Sequence, residues 1–290
     1  VILNPAGNRG RAARLRGPIA QALADGRGEL VLTSAPHEAE RLAREAASSG
    51  RDVVAVGGDG TISEAANGIL SAGASVAFGV VPAGNGNDYA YETLGLPRDP
   101  LRALEVALSG EAIPMDVGEV NGRYFLNSLG VGIDANIAAA AEELKRFPLM
   151  RGQTLYWASS LRELLLHYDR CPHLSVTRDG VTDTARLFAL AAVSIGPTYG
   201  GGFRINPDAD PRDGLFDLCT IWKPSLPRAL RLLPLVEQGR HLGEPEVTRQ
   251  RVRQVVLESP EPVFAHLDGE VIRDRHFEAR ILPGVLRVRR

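Results

Sequence analysis

The sequence predicts an α/β N-terminal domain, a parallel sheet with flanking helices, followed by a mainly antiparallel β-sandwich C-terminal domain. Three observations predict it. Strand-like and helix-like patterns alternate as far as residue 117, which argues for βαβ units. Three early strands each run into a polar, Gly-rich turn that opens a helix. From Val117 onward the pattern becomes strand-rich. The domains are therefore placed at 1–117 and 118–290, with the last strand free to return to the first.

Taken in order, Val1-Ile2-Leu3 runs into Asn4-Pro5-Ala6-Gly7-Asn8-Arg9-Gly10. The chain opens in a strand without Met, so a few leading residues are expected before it. Arg11 to Ala24, Glu38 to Ala47 and Leu101 to Leu108 carry helical spacing, and Leu30–Leu32, Val53–Val56 and Val76–Val81 read as strands. In the second half, strands are expected at Tyr124–Leu129, Leu174–Thr177, Ala185–Ser194, Leu215–Ile221 and Val252–Leu257. Val263–Leu267, Val271–Arg275 and Phe277–Ile281 follow. Helices are expected at Ala135–Lys145, Thr154–Tyr168 and Ser225–Arg240. With no repeat or low-complexity linker, the two domains are expected to pack closely around a cleft.

The stretch Asp52-Val53-Val54-Ala55-Val56-Gly57-Gly58-Asp59-Gly60-Thr61 carries the most chemistry. A buried strand stops at glycines around one aspartate, and a helical pattern follows at once. Such glycines let the backbone approach a ligand, and free N–H groups at the helix start favour an anion such as phosphate. An acidic side chain there points to a metal or to a network of donors. Thr61 offers a hydroxyl, and Glu64 three residues on completes the spacing of a capping box. A second strand ends at Val81-Pro82-Ala83-Gly84-Asn85-Gly86-Asn87-Asp88, with Asn87 or Asp88 near the N-cap. In a parallel sheet these loops gather at the carboxyl edge of the strands.

Composition bounds the partners. The 290 residues are 44% hydrophobic with formal charge −2, which gives no reason to expect nucleic acid. Two cysteines, Cys171 and Cys219, have no metal-ligand spacing and suggest a reducing compartment. No apolar run approaches the roughly 20 residues of a transmembrane helix. Of 33 basic residues only Lys145 and Lys223 are lysines, and neither follows a glycine. The lysine-based phosphate loop is therefore excluded, and the His-Arg-Asp and Asp-Phe-Gly signatures of protein kinases are absent. The six histidines show no zinc spacing and look incidental. Arg9, Arg11, Arg14 and Arg16 read as a solvated helix face, with phosphate or anionic lipid as the other reading.

Together the Asn4-Pro5 start, the Gly-Gly-Asp-Gly-Thr turn and the Pro-x-Gly-x-x-Asn-Asp turn resemble the catalytic domain of diacylglycerol kinase-type lipid kinases. Sphingosine and ceramide kinases share that domain. The resemblance continues through Tyr199-Gly200-Gly201-Gly202-Phe203, Asp213-Gly214-Leu215-Phe216-Asp217 and Leu267-Asp268-Gly269-Glu270. It implies a phosphofructokinase- and NAD kinase-like N-terminal fold, with ATP and Mg2+ as cofactors. Family members often carry Thr where Asn85 stands and Asn where Ser63 stands, so the side-chain donors there differ while staying polar.

The resemblance makes Asp268 the base that accepts the acceptor's hydroxyl proton, with Glu270 assisting. Glu270 would face the same side if the segment stays extended. An ordinary Asp-Gly hairpin turn is the plainer reading. Asn4, Gly7, Asn8, Thr33, Gly57, Gly58, Asp59, Gly60, Thr61, Asn85 and Asp88 are the nucleotide candidates. Asp213, with main-chain oxygens near Asp210 and Leu215, is the implied magnesium site, and a plain hairpin connector is its alternative. Asp116 either joins Asp59, Asp88 and Asp213 in an acidic network or caps the domain junction. Leu149 to His167 either covers a lipid-chain pocket or packs as core. The expected activity is phosphorylation of a lipid hydroxyl, diacylglycerol first, by a cytoplasmic enzyme associating peripherally with the membrane. Other lipid acceptors, an NAD kinase-like enzyme and a non-catalytic binding protein are the alternatives, and a homodimer is open to the chain.

Overall fold

The computed structural model describes residues 1–144 and 152–290. Lys145 and Leu149 to Arg151, named above, lie outside the described residues. The chain divides into two compact units, Val1–Val117 with Pro283–Arg290, and Gly118–Leu282.

In the first unit the elements run β1 (Ile2–Leu3), α1 (Arg16–Ala22), β2 (Val31–Leu32), α2 (Glu38–Ser48), β3 (Val53–Gly57), α3 (Asp59–Ser71), β4 (Ala77–Pro82), α4 (Pro100–Ser109) and β5 (Ala112–Val120). A 3₁₀ turn, Arg11–Leu15, precedes α1. Neighbours β4, β3, β1 and β2 pair in parallel. Both faces of β3 and β4 are buried, which suits their β-branched composition. Helix α4 starts where the Asp99 carboxylate accepts the amides of Leu101 and Arg102, with Pro100 in the first turn. Helices α2 and α3 approach closely because Gly68 has no side chain; a Cβ there would strike the backbone of Glu40 and the Ala43 methyl.

The second unit adds β6 (Arg123–Phe125), β7 (Ser128–Gly132), α5 (Ile133–Leu144), α6 (Gly152–Leu166), β8 (His173–Arg178), β9 (Val181–Thr182), β10 (Arg186–Ser194), β11 (Phe216–Trp222), α7 (Leu226–Glu237), β12 (Val247–Val252), β13 (Gln254–Leu267) and β14 (Glu270–Arg289). Strands β12, β11, β10, β7, β13 and β14 are successive antiparallel neighbours. One half of β13 pairs with β8 and the other with β7, either side of a register shift between Glu258 and Val263. Because β8 also pairs with β10, the strands curl back on themselves. One face encloses Phe125, Phe216, Leu257 and Phe277. The other carries α5, α6 and α7 over Leu190, Cys219 and Ile221.

Several elements differ from the sequence reading. Tyr124–Leu129 is two strands, because the amides of Leu126 and Asn127 leave the ladder for the Asp268 carboxylate. Val252–Leu257 is split, with Val252 ending β12 and residues 254–257 joining Val263–Leu267 in one long strand, and Val271–Arg275 and Phe277–Ile281 also become one strand. Strand β12 has too polar a pattern to stand out, and Pro114 disguises β5. Beyond Leu282, β14 rejoins the first unit, where Arg287 and Val288 pair in parallel with Ala77 and Phe78 of β4.

Candidate active site

In the first unit, the loops after β1, β3 and β4 lie side by side because those strands are neighbours. Asn4 Nδ2 donates to Thr61 Oγ1 at 3.0 Å, and Asn4 Oδ1 accepts the Ala6 amide at 3.0 Å. A Cβ on Gly7 would press on Ala12 and on the carbonyls of Asn4 and Ala83, while Asn8, Arg9 and Gly10 all have left-handed φ. Gly57 must lack a side chain because its Cβ would lie 2.6 Å from Thr61 Oγ1. Gly58 is extended; a Cβ on it would press on the Gly84 Cα at 3.1 Å, and a Cβ on Gly84 would overlap the Gly58 Cα at 2.4 Å. Gly60 faces open space.

Thr61 is the third residue of α3, whose N-cap is Gly58 without a side-chain bond. The expected capping box is therefore not formed: Thr61 is held by Asn4, and Glu64 accepts the His37 amide at 3.2 Å. The Asp59 carboxylate accepts the amides of Asn87 at 2.7 Å and Tyr89 at 3.4 Å. The donor network anticipated around it is thus made of main-chain N–H groups. Burial pushes the Asp59 carboxyl above its ordinary range, against the pull of those amides. Asn87, expected near the N-cap, closes the β4 loop. Its side chain accepts the Gly84 amide at 2.9 Å and donates to the Gly84 carbonyl at 3.2 Å, at φ 60°. Asn85 is exposed, Asp88 is half-buried and Thr33 is buried at the end of β2. The four arginines from Arg9 to Arg16 are exposed.

In the second unit, Asp268 and Gly269 both have positive φ, so β13 and β14 are joined by a tight two-residue hairpin turn. The plain hairpin reading is therefore correct as geometry, but the carboxylate does more. It accepts the amides of Leu126 at 2.7 Å, Asn127 at 2.9 Å and Ser128 at 3.0 Å. A carboxylate held by three oriented donors is fixed in place at the tip. The segment is not extended through Glu270, so the expected shared side does not follow. Glu270 is exposed and makes a fork with Arg123, at 3.0 and 2.7 Å. Asn127 also donates its side chain to the Thr198 carbonyl and accepts the amides of Ile195 and Gly196, tying that loop to the hairpin tip.

The Asp210–Leu215 turn does not fit magnesium as it is arranged. Asp213 accepts the Leu215 amide at 2.9 Å with one oxygen and pairs with the Arg251 guanidinium through the other. Asp210 accepts the Arg212 amide at 3.1 Å. Asp116 is buried and accepts the Gly284 amide at 2.8 Å, anchoring the returning C-terminal segment. Among the described residues no group of three or more His, Cys, Asp or Glu side chains is placed to hold a metal directly.

A cavity of about 100 Å³ lies in the second unit between α5, α6, α7 and the sheet, lined by Ile137, Leu164, Leu190, Phe203, Ile221 and Leu232 among others. The described part of the Leu149–His167 segment supplies Tyr156, Ser160 and Leu164 to its wall.

Comparison with known proteins bears on these sites. The profile of the "Diacylglycerol kinase catalytic domain" matches residues 1–120, and that of the "YegS C-terminal NAD kinase beta sandwich-like domain" matches residues 127–290. The "Diacylglycerol kinase" of Bacillus subtilis (strain 168) is 31% identical over 244 residues, 82% of this chain and 77% of the relative. The chain belongs to the diacylglycerol kinase family of lipid kinases. A "Probable lipid kinase YegS-like" of Chromohalobacter salexigens is 34% identical over 254 residues, 85% of this chain and 78% of that one. The crystal structure of a diacylglycerol kinase from Bacillus anthracis str. Sterne has the same fold, with TM-score 0.73 at 21% identity over 99% of this chain and 94% of that chain. Membership of this kinase family implies use of ATP.

Proposed function

We propose that this lipid kinase transfers the terminal phosphoryl group of ATP to the hydroxyl of a membrane lipid, diacylglycerol first. The observation that carries the reading lies in the second unit: a carboxylate held by three amides shares a sheet with an apolar cavity. The cavity suits hydrocarbon, since apolar cavities of roughly this size stay dry and take apolar ligands. The names of the relatives support the same acceptor class.

In this reading the first unit binds ATP. Main-chain N–H groups at Gly57, Gly58, Gly60 and Thr61, where α3 begins, attract the phosphates, as helix starts do. Asn4, Gly7 and Asn8 border them on one side, and Asn85 and Asp88 on the other. Thr33 is assigned to the adenosine end. Magnesium accompanies the triphosphate as its neutralising cation. The second unit holds the acceptor, and Asp268 takes the proton from the attacking hydroxyl, with Glu270, across the turn and paired with Arg123, in a supporting role. Because the acceptor resides in a bilayer, the enzyme works at the membrane surface; no described helix is long and apolar enough to cross it.

The test is ATP consumption with magnesium and vesicles containing diacylglycerol, against matched vesicles without it and against NAD. Asp268→Asn keeps the size of the side chain and removes the base. Turnover is expected to fall by about 10²–10⁴-fold, the usual worth of a general base, while ATP still binds. Full turnover in Asp268→Asn removes it from the mechanism, and an absence of lipid-dependent consumption in the parent chain ends the lipid reading.

A further inference from the structure

Asp134, at the start of α5, is the one carboxylate among the described residues lining the apolar cavity. It is 7% exposed, and a carboxylate beside hydrocarbon is costly unless its oxygens are satisfied. Tyr199 Oη donates to its Oδ2 at 2.9 Å, and the Ala135 amide donates to Oδ1 at 2.9 Å. Burial, then the neighbouring Asp134, pushes the Tyr199 phenol well above its ordinary range, so it remains a neutral donor. Beneath them His266 is 1% exposed, with Nε2 3.3 Å from Asp134 Oδ2. That is an ion-pair distance without hydrogen-bond alignment, and Nδ1 has no partner among the described residues. The Tyr199 ring lies 4.9 Å from the imidazole, centre to centre. Gly130 makes room for the group: a Cβ there would overlap both the Asp134 carboxylate and the His266 ring.

We propose that Asp134 and Tyr199, backed by His266, form a recognition site for a hydrogen-bond donor at the head of an apolar chain occupying the cavity. A carboxylate and a phenol oxygen accept hydrogen bonds, so they select a hydroxyl or an ammonium over an ester or a bare hydrocarbon end. The position agrees with the chemistry. His266 is opposite Gly130 on β7, and the Asp268 amide donates to the Ser128 carbonyl on the same strand. A lipid head read by Asp134 is therefore close along β13 to the hairpin that carries Asp268. The inference takes its ligand class from the lipid-kinase reading.

The test uses the full chain and three probes in matched detergent micelles: 1-monooleoylglycerol, sphingosine, and methyl oleate, which has the chain without a donor. Binding is measured by titration calorimetry. At least one donor-headed probe is expected to bind ten-fold or more tightly than methyl oleate, and the tighter of the two assigns hydroxyl or ammonium. Asp134→Asn and Tyr199→Phe are expected to shrink that preference to under three-fold. Tyr199→Phe answers alone if Asp134→Asn does not fold. Ala229→Leu, filling the cavity from α7, is expected to weaken all three probes. Equal affinities in the parent chain overturn the proposal, as does a preference that survives both polar variants. ATP turnover is read separately: discrimination without turnover keeps this site and removes the kinase reading, while turnover without discrimination does the reverse.

Discussion

A Cβ on Gly60 would meet nothing within 4 Å, whereas one on Gly57 or Gly84 would strike its own loops. The three glycines therefore separate folding from binding. Gly60→Ala is expected to leave the melting temperature unchanged or slightly higher, since alanine favours a helix over glycine by up to about 1 kcal/mol. If phosphate comes close to this turn, the same methyl raises the KM for ATP about ten-fold or more. An unchanged ATP affinity in Gly60→Ala would take the helix start out of the nucleotide site. Gly84→Ala is the contrasting case, because it separates two loops and lowers both stability and affinity. A different residue sets a pH limit. His241 is buried, with Nε2 3.7 Å from the Cys219 sulfur, and burial lowers its pKa against the pull of backbone groups at Ile205 and Leu235. The unfolded chain binds the proton near pH 6.5 and the native chain does not, so stability falls as pH drops below that value. One such group contributes at most about 1.4 kcal/mol per pH unit. Thermal melts from pH 7.5 to 5 should show this slope, and His241→Gln should flatten it; an identical slope in the variant would clear His241.

At the scale of elements, helix α6 carries apolar side chains both toward the cavity and toward solvent. Ser160 and Leu164 line the cavity, while Leu161, Leu165 and Leu166 are exposed. On the proposed lipid-kinase reading, the outer face would give apolar contact with the bilayer next to the cavity. Leu165→Gln with Leu166→Gln is expected to cut turnover on vesicle-borne acceptor several-fold and leave turnover on a micellar short-chain acceptor intact. Equal losses on both would show that the face serves the fold. Elements also show what the sequence made legible. Strands β3 and β4 and their Gly-cornered turns were readable because buried parallel strands are continuous apolar runs with sharp ends. The Asp268–Gly269 turn was readable because few residues adopt positive φ. The amides that hold Asp268 were not, since Leu126, Asn127 and Ser128 act through their backbone, which has no residue signature. Nor were Arg123 on Glu270 and Arg251 on Asp213, pairs made across long sequence separations. The Asp134 group left one faint trace, Gly130-Val131-Gly132-Ile133-Asp134, whose first glycine makes room for two polar side chains. His266 gave no such trace.

At the scale of the whole molecule, the chain leaves the first unit after Val117 and re-enters it at Pro283. The returning segment is structural: Leu286 and Val288 are buried, Arg287 and Val288 extend the parallel sheet beside β4, and Arg289 pairs with Asp52 at 2.8 Å. Asp116 and the Gly284 amide fasten its entry. The Gly-rich loops are held by β1, β3 and β4, and β4 takes the returning strand as its other neighbour. A fragment of residues 1–117 therefore lacks one strand of its own sheet. Val288→Asp in the full chain puts a carboxylate in a fully buried position without a partner, and a destabilisation of several kcal/mol is expected. Proteolysis should then cut first within the first unit, and ATP should restore protection in proportion to its binding there. Joining residues 283–290 to the 1–117 fragment through a flexible linker is expected to recover cooperative unfolding that the bare fragment lacks. A bare fragment that melts as sharply and as high as the joined one would show that the returning strand is dispensable to the Gly-rich loops.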